Sequence, residues 1–269
     1  MYCRYTKKDL YESVSVFRCA VLGITYQDYP LRPIEIAKSR MDNLAIDVAP
    51  FRSRSLRGMA VIADNVYEND VILINEHLSP TERNFYCAHE LMHLALHRYE
   101  QGKQFSCYDD LKPNQNPILE WQANEGAAEL LLPYQMLLPI IKSADLSTEK
   151  DILFLKNKLA KYFGVTLSVV ELRLESLKYE IYQHLNGVPL EHIKILSKKQ
   201  QEQKGIVVQS LNDMAITLKH KEQREKMLKR IAERDLEKKK ESQKKLEAER
   251  DAQFQRALEK HEKRWLYGR

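Results

Sequence analysis

A chain of 269 residues with 43% hydrophobic content holds enough apolar material for one core of ordinary size plus an extension. Its four cysteines, with no CxxC spacing, argue against a disulfide framework and against a zinc site built from cysteine alone. The net charge of +5 belongs to the C-terminal part, where residues 219–264 carry 17 basic against 11 acidic side chains, so the alkaline pI says little about the remainder.

Met1 to Leu10 is polar and lacks the apolar centre of a signal peptide, and the apolar stretches Val14–Ile24 and Leu130–Ile141 are too short for a membrane span. A soluble, cytoplasmic protein is expected, with no membrane contact. The mixed apolar run 14–24 favours helix slightly. Pro30 and Pro33 mark a break, residues 34–42 read as a helix with Ile34, Ala37 and Met41 on one side, residues 46–48 as a short strand, and 50–57 as a basic loop. Gly58–Ile62 and Val71–Asn75 are short, β-branched and separated by a polar turn, which predicts a hairpin. Its edge could take up a peptide as an added strand, or the hairpin could be purely structural.

The next element carries the chemistry. Ser79, Pro80 and Glu82 form a capping box with proline at the first helical position, and the helix they open contains His89-Glu90-Leu91-Met92-His93. Residues four apart share one helix face, so both imidazoles can reach one ion, and Zn²⁺ suits them. Glu90, about 100° round from His89, is placed as a general base rather than a ligand. Apart from these three polar residues the segment Phe85–Leu96 is nearly all apolar, and buried histidines need a partner. Cys87 reads as a small core residue. No Gly or Pro breaks the helix after His93, so His97 is expected to point elsewhere, near the helix C-terminus, where a partly protonated imidazole is favourable.

A catalytic zinc site uses three protein ligands. The third candidate lies 27 residues after His93, on a helix predicted over 118–132, opened by Asn116-Pro117 and stopped by Pro133. Of its acids, Glu120 and Glu125 are about 140° apart and cannot face one ion together. The Glu120 face continues with Ala123, Asn124 and Ala127, small enough for two helices to approach closely. Asn124 could orient a ligating imidazole through its outer N–H. The expected set is therefore His89, His93 and Glu120 as ligands and Glu90 as base, with Glu125 and Glu129 facing outward.

Phe85-Tyr-Cys-Ala-His-Glu-Leu-Met-His-Leu-Ala-Leu-His97 and Glu120-Trp-Gln-Ala-Asn-Glu-Gly-Ala-Ala-Glu-Leu-Leu-Leu-Pro133, in this order and spacing, resemble the two signature blocks of the ImmA/IrrE metallopeptidases. The likeness covers roughly residues 25–175. Met92 stands where the family usually has Gly, and Gly126 where it usually has Phe, so packing between the two helices is expected to differ. The resemblance implies a gluzincin-like zinc endopeptidase. It also implies a substrate class: a helix-turn-helix repressor whose cleavage relieves transcription of a mobile genetic element or of stress genes. Composition and spacing do not point to that substrate.

Residues 97–116 are polar and turn-rich, the expected place for a lid or substrate contacts. Tyr99 and Tyr108 are both candidates for the donor that stabilises a tetrahedral intermediate. Residues 148–163 and 168–185 read as helices around Gly164. Their helix–Gly–Val–Thr–helix pattern allows a DNA-reading motif, but similar segments in the resembled family are packing helices, and nucleic acid is not the expected partner. From about Ser210 acid–base pairs recur at i,i+4 without sustained a/d apolar positions, which predicts a solvated helix rather than a coiled coil. That tail is a candidate for binding a protein partner, and Trp265-Leu266-Tyr267 at its end for docking.

The architecture expected is α+β: a zincin-like domain over residues 1–200, with a small β-sheet and additional helices, then a long charged helical tail over 201–269. The function expected is a zinc-dependent endopeptidase. The rival is a zinc-binding regulator that acts by binding protein without cleaving it.

Overall fold

The computed structural model describes residues 5–65, 67–100 and 102–267. The chain divides into two compact units, 1–215 and 216–269. In the first, helices α1 (Lys7–Val16) and α2 (Pro33–Arg40) precede strands β1 (Leu44–Ala49), β2 (Leu56–Val61) and β3 (Asp70–Asn75). Helix α3 (Pro80–Leu96), strand β4 (Gln104–Tyr108) and helix α4 (Pro117–Leu131) follow, then α5 (Tyr134–Ser143), α6 (Glu149–Phe163), α7 (Leu167–Ser176), α8 (Lys178–Leu185) and α9 (Lys198–Gln203). Helix α10 runs from Leu211 to Tyr267.

The α+β expectation holds: a small sheet, a surrounding set of helices and a long charged C-terminal helix. The predicted hairpin is present, with β2 antiparallel to β3. Strand order is β1-β3-β2-β4, so both hairpin strands are interior and the edges are β1, parallel to β3, and β4, antiparallel to β2. The sequence reading missed β4, taking 97–116 as loop throughout. Phe105 and Cys107 point inward from it and Gln104 outward, the period of two expected of a half-buried strand, but five residues among turn formers are a weak signal.

Helix α3 is the centre of the first unit. Eight consecutive residues, Cys87 to Leu94, are buried, because α3 lies against β2 and β3 on one side and α4 on the other. Its start is the predicted one: Ser79 accepts from the Glu82 amide, and the Glu82 carboxylate accepts from the Ser79 amide. Helix α4 likewise begins where expected, with Asn116 accepting from the Ile118 amide. Gly164, in the left-handed conformation at φ 65°, ends α6, and Thr166 caps α7.

The two departures from the family pattern meet at the α3–α4 contact. A Cβ at Gly126 would lie 3.0 Å from both Cγ and Sδ of Met92, so the methionine occupies the room that the missing side chain leaves. Overpacking a filled core costs about 1–3 kcal/mol or more. Gly126→Phe is therefore expected to destabilise the protein by at least that amount, and Met92→Gly to destabilise it by opening a cavity. The double variant should recover much of both losses. Chemical denaturation of the four proteins measures this coupling, and simple additivity would show that the two positions do not share the space.

On α4, Glu125 and Glu129 do not face outward. Both are buried, because α1 packs on that side of α4 and the side chains of Tyr11 from α1 and Arg173 from α7 reach it. Arg173 Nη1 donates to Glu125 Oε1 (3.0 Å) and to the Tyr11 hydroxyl (2.6 Å), Nε donates to the Leu132 carbonyl (3.1 Å), and Nη2 pairs with Glu129. Ser176 Oγ also donates to Glu125 Oε1 (2.7 Å). Beside this cluster Lys7 is buried against Glu180 at 3.1 Å. Leu211 and Met214, at the start of α10, belong to the same hydrophobic core.

The second unit is helical as far as Tyr267. Its apolar side chains, among them Met227, Leu228, Leu246 and Phe254, are exposed, in keeping with the expected solvated helix. The side chains of Trp265, Leu266 and Tyr267 lie outside the described residues. Among the described residues, no helix is long and apolar enough to cross a membrane.

Candidate metal centre

Helices α3 and α4 bring three of the sequence-selected side chains together. Nε2 of His89 and Nε2 of His93 lie 3.0 Å apart, and the Glu120 carboxylate lies 3.4 Å from the first and 3.8 Å from the second. Both imidazoles are fully buried, and the Glu120 side chain is 13% exposed. One ligand atom from each falls within 4.8 Å of the others, the spacing of a metal-binding group.

The outer nitrogens show which atoms are free to bind an ion. His89 Nδ1 lies 3.0 Å from Asn124 Oδ1, which can only accept, so Nδ1 carries the proton and Nε2 the lone pair. Asn124 thus has the position expected of it. His97 Nε2 lies 2.8 Å from Gln122 Oε1, and His97 Nδ1 lies 2.9 Å from His93 Nδ1. The same logic runs along this chain: His97 donates to Gln122 and accepts from His93 Nδ1, which again leaves Nε2 of His93 bare. Two lone pairs facing each other at 3.0 Å, beside a carboxylate, repel unless a cation lies between them. The donor set therefore fits a divalent zinc ion.

His97 differs from expectation in one respect. It turns away from the ligand cluster, as the unbroken helix required, but it is buried rather than partly protonated, and burial lowers its pKa below the ordinary value. His93 is held well below the usual range by burial and by its two histidine neighbours. Both rings are neutral, and neutral imidazole is the ligating form. Phe105 stacks on His93 with ring centroids 4.4 Å apart, shielding it from water.

Glu90 is fully buried, and among the described residues neither carboxylate oxygen has a hydrogen-bond partner. Burial, and then the negative charge of Glu120, raise its pKa well above the usual carboxylate value. Gly58 makes room for it: a Cβ there would lie 2.6 Å from Glu90 Oε1. Cys107, the cross-strand partner of Gly58, completes a second potential donor group with His89 and Glu90. Neither Gly58 nor Cys107 was singled out from sequence, because nothing in their local context marks them. Cys87 is a buried core residue as expected, Cys19 is exposed, and Cys3 lies outside the described residues.

A cavity of about 520 Å³ opens beside Glu120, lined also by Tyr86, Tyr108, Trp121, Leu172 and Asn124. Of the two tyrosines selected from sequence, Tyr108 borders this cavity. Tyr99 is 98% exposed, because it follows the end of α3 on an outward turn, and it does not approach the site. Helix α7 buries Val169, Val170, Arg173 and Leu174 and exposes Glu171 and Glu175, while α6 exposes Lys158 and Lys161.

A comparison with curated proteins gives no match. Among solved structures, a Mycobacterium tuberculosis transcriptional regulator is similar at 19% identity and a TM-score of 0.42, over 66% of this chain and 48% of that one. The chain thus spans about half the length of that regulator. The family profile described as the IrrE N-terminal-like domain, Peptidase M78, matches residues 36–175, which include every residue of the two signature blocks. The chain belongs to the family of IrrE N-terminal-like domains, the M78 peptidases.

Proposed function

We propose that the protein is a zinc-dependent endopeptidase in which His89, His93 and Glu120 hold the ion and Glu90 is the general base. The observation that carries this reading is Glu90 itself: a buried carboxylate without a hydrogen-bond partner among the described residues, on the same helix turn as two convergent imidazoles. A structural zinc site needs no such group. Bound Zn²⁺ supplies Lewis acidity toward a carbonyl and acidifies a water molecule. Glu90 takes the proton of the attacking water and returns it to the leaving amine. Asn124, His97 and Gln122 keep the ligand imidazoles in their ligating tautomers, and Phe105 excludes water from one face. Tyr108, which lines the cavity beside Glu120, is the candidate donor to the developing oxyanion. An extended peptide can pair with β4, an edge strand bordering the cavity, and place a scissile bond over the centre.

By the family resemblance the substrate is a helix-turn-helix repressor, and its cleavage would relieve transcription. Co-expression of the protein with a repressor encoded beside it, followed on a gel, tests this directly. A shortened repressor is expected. Derepression with the repressor intact would favour the second reading, a zinc-binding regulator that sequesters its partner without cutting it. The metal assignment has its own check. Glu120→Ala is expected to remove most of the roughly one equivalent of zinc found by elemental analysis. A variant that retained zinc would move the third ligand elsewhere.

A further inference from the structure

The cavity beside Glu120 has a neighbour. A second cavity of about 570 Å³ is lined from α1, α4, α7 and α9, and Trp121, Glu125 and Leu172 border both, so the two meet across those side chains. Trp121 follows the proposed ligand Glu120 in the chain and is 37% exposed, and Leu172 is 71% exposed. Large apolar groups left open on a cavity wall are suited to cover an apolar side chain of a ligand. The two cavities differ in charge. The first is walled by Glu82 and Asp109, which share one cation, Arg57, and so keep a net negative charge. The second is walled by Lys178, Lys198 and Lys199 against one exposed acid, Glu175, which pairs with Lys178. Its other charges are matched inside the fold, Lys7 by Glu180 and Glu125 by Arg173. Lys198 and Lys199 are exposed, and among the described residues neither has an ion-pair partner.

We propose that the second cavity docks an acidic stretch of the protein substrate while a neighbouring part of the same chain lies across the metal centre. A peptide that pairs with β4, crosses Glu120 and runs on past Trp121 and Leu172 enters the second cavity. An apolar side chain covers the shared wall, and carboxylates beyond it meet Lys198 and Lys199. The same carboxylates are disfavoured beside Glu82 and Asp109, so charge sets the direction in which the chain lies. Nucleic acid is the other polyanion suited to a basic cavity. The adjoining acidic cavity repels a continuous phosphate backbone, whereas a peptide can change sign along its length. This inference rests on the endopeptidase reading and gives its substrate a chemical class: a segment with an apolar residue near the scissile bond and acidic residues to one side.

The test uses the full chain carrying Glu90→Gln, loaded with zinc, so that a bound peptide is not consumed. Labelled synthetic peptides of equal length share a central leucine and differ beside it. One set carries aspartate and glutamate on either side, the other their amides. Fluorescence anisotropy is expected to show the acidic set binding about tenfold more tightly, a difference that shrinks as salt is added. Lys198→Gln with Lys199→Gln should remove most of the preference, and Lys198→Glu with Lys199→Glu should remove it altogether. Lys158→Glu, on α6 outside both cavities, should leave it intact. Equal binding of the two sets, binding of neither, or a preference that survives both lysine replacements unchanged would overturn the proposal. So would a single-stranded oligonucleotide that binds more tightly than the acidic peptides and displaces them. The chain with Glu90 restored separates docking from catalysis. Acidic peptides bound in the same lysine-dependent way but left uncut would overturn the endopeptidase reading and leave the docking site standing.

Discussion

Replacing Glu90 by glutamine is expected to slow peptide cleavage by about 10²–10⁴-fold while leaving the zinc content unchanged. The substitution keeps the size and shape of a side chain that has no exposed surface, and it removes only the ability to accept a proton. Glu90 is not among the three residues whose ligand atoms surround the proposed ion, so metal uptake has no reason to fall. Its buried carboxyl is pushed up by desolvation and by Glu120, and a cation in the centre acts in the opposite sense, restoring the basic form. Single-turnover cleavage and elemental analysis on the same preparation provide the check. Zinc lost together with activity would make Glu90 a ligand, and undiminished cleavage would remove it from the mechanism. Gly58→Ala should move in the same direction, because its Cβ would displace the Glu90 carboxylate from a distance of 2.6 Å without touching a ligand.

Arg173→Ala is expected to destabilise the fold by about 3–5 kcal/mol, the cost of removing one partner from a buried ion pair. Arg173 is buried, and its Nε, Nη1 and Nη2 atoms all donate, to Leu132, Tyr11, Glu125 and Glu129. Without it two buried carboxyl groups lose their cation. Denaturant titration of wild type and variant measures the loss, and a change below 1 kcal/mol would show that the cluster is worth no more than a surface pair.

The same cluster carries a pH signature. Burial outweighs Arg173 at Glu129 and pushes its carboxyl up to about 7, whereas at Glu125 Arg173 and Lys7 outweigh burial and the pKa is lowered. From the ordinary value near 4.5 up to about 7, the folded state holds a Glu129 proton that the unfolded state has released. Stability therefore falls as pH rises through that window. Glu125 acts in the opposite sense and only below 4.5, where its contribution is lost as pH falls through its lowered pKa. Glu129→Gln should flatten the slope between about 4.5 and 7 relative to wild type, and an unchanged slope would place the proton elsewhere.

Helix α3 and its start were legible from residues 79–97 alone, because a capping box and an uninterrupted apolar run are local signals. The start of α4 and the choice of Glu120 over Glu125 for the ligand face were legible for a similar reason: helical spacing converts sequence offset into angle. The same rule failed for Glu125 and Glu129. Angle says which side of α4 they occupy but not what covers that side, and the cover is Arg173, some 44–48 residues away. Residues 168–185, read as one helix, are two, divided at Leu177, with no Gly or Pro to mark the break.

What the sequence determined by itself is therefore what depends on near neighbours: the ends of α3 and α4, the β2–β3 hairpin, the solvated character of the C-terminal helix and the pairing of His89 with His93 on one helix face. The tertiary structure alone decided everything that needs contact between distant segments. It made β4 the edge strand, set Phe105 against His93 and placed Cys107 beside Glu90. It also left Gly58 bare above that carboxylate, and fitted Met92 into the space left by Gly126. The physical reason is the range of the interactions. Capping, helical periodicity and turn preference act over a few residues and are written in consecutive letters. Close packing and the pairing of buried charge act through space, between residues that no local pattern connects.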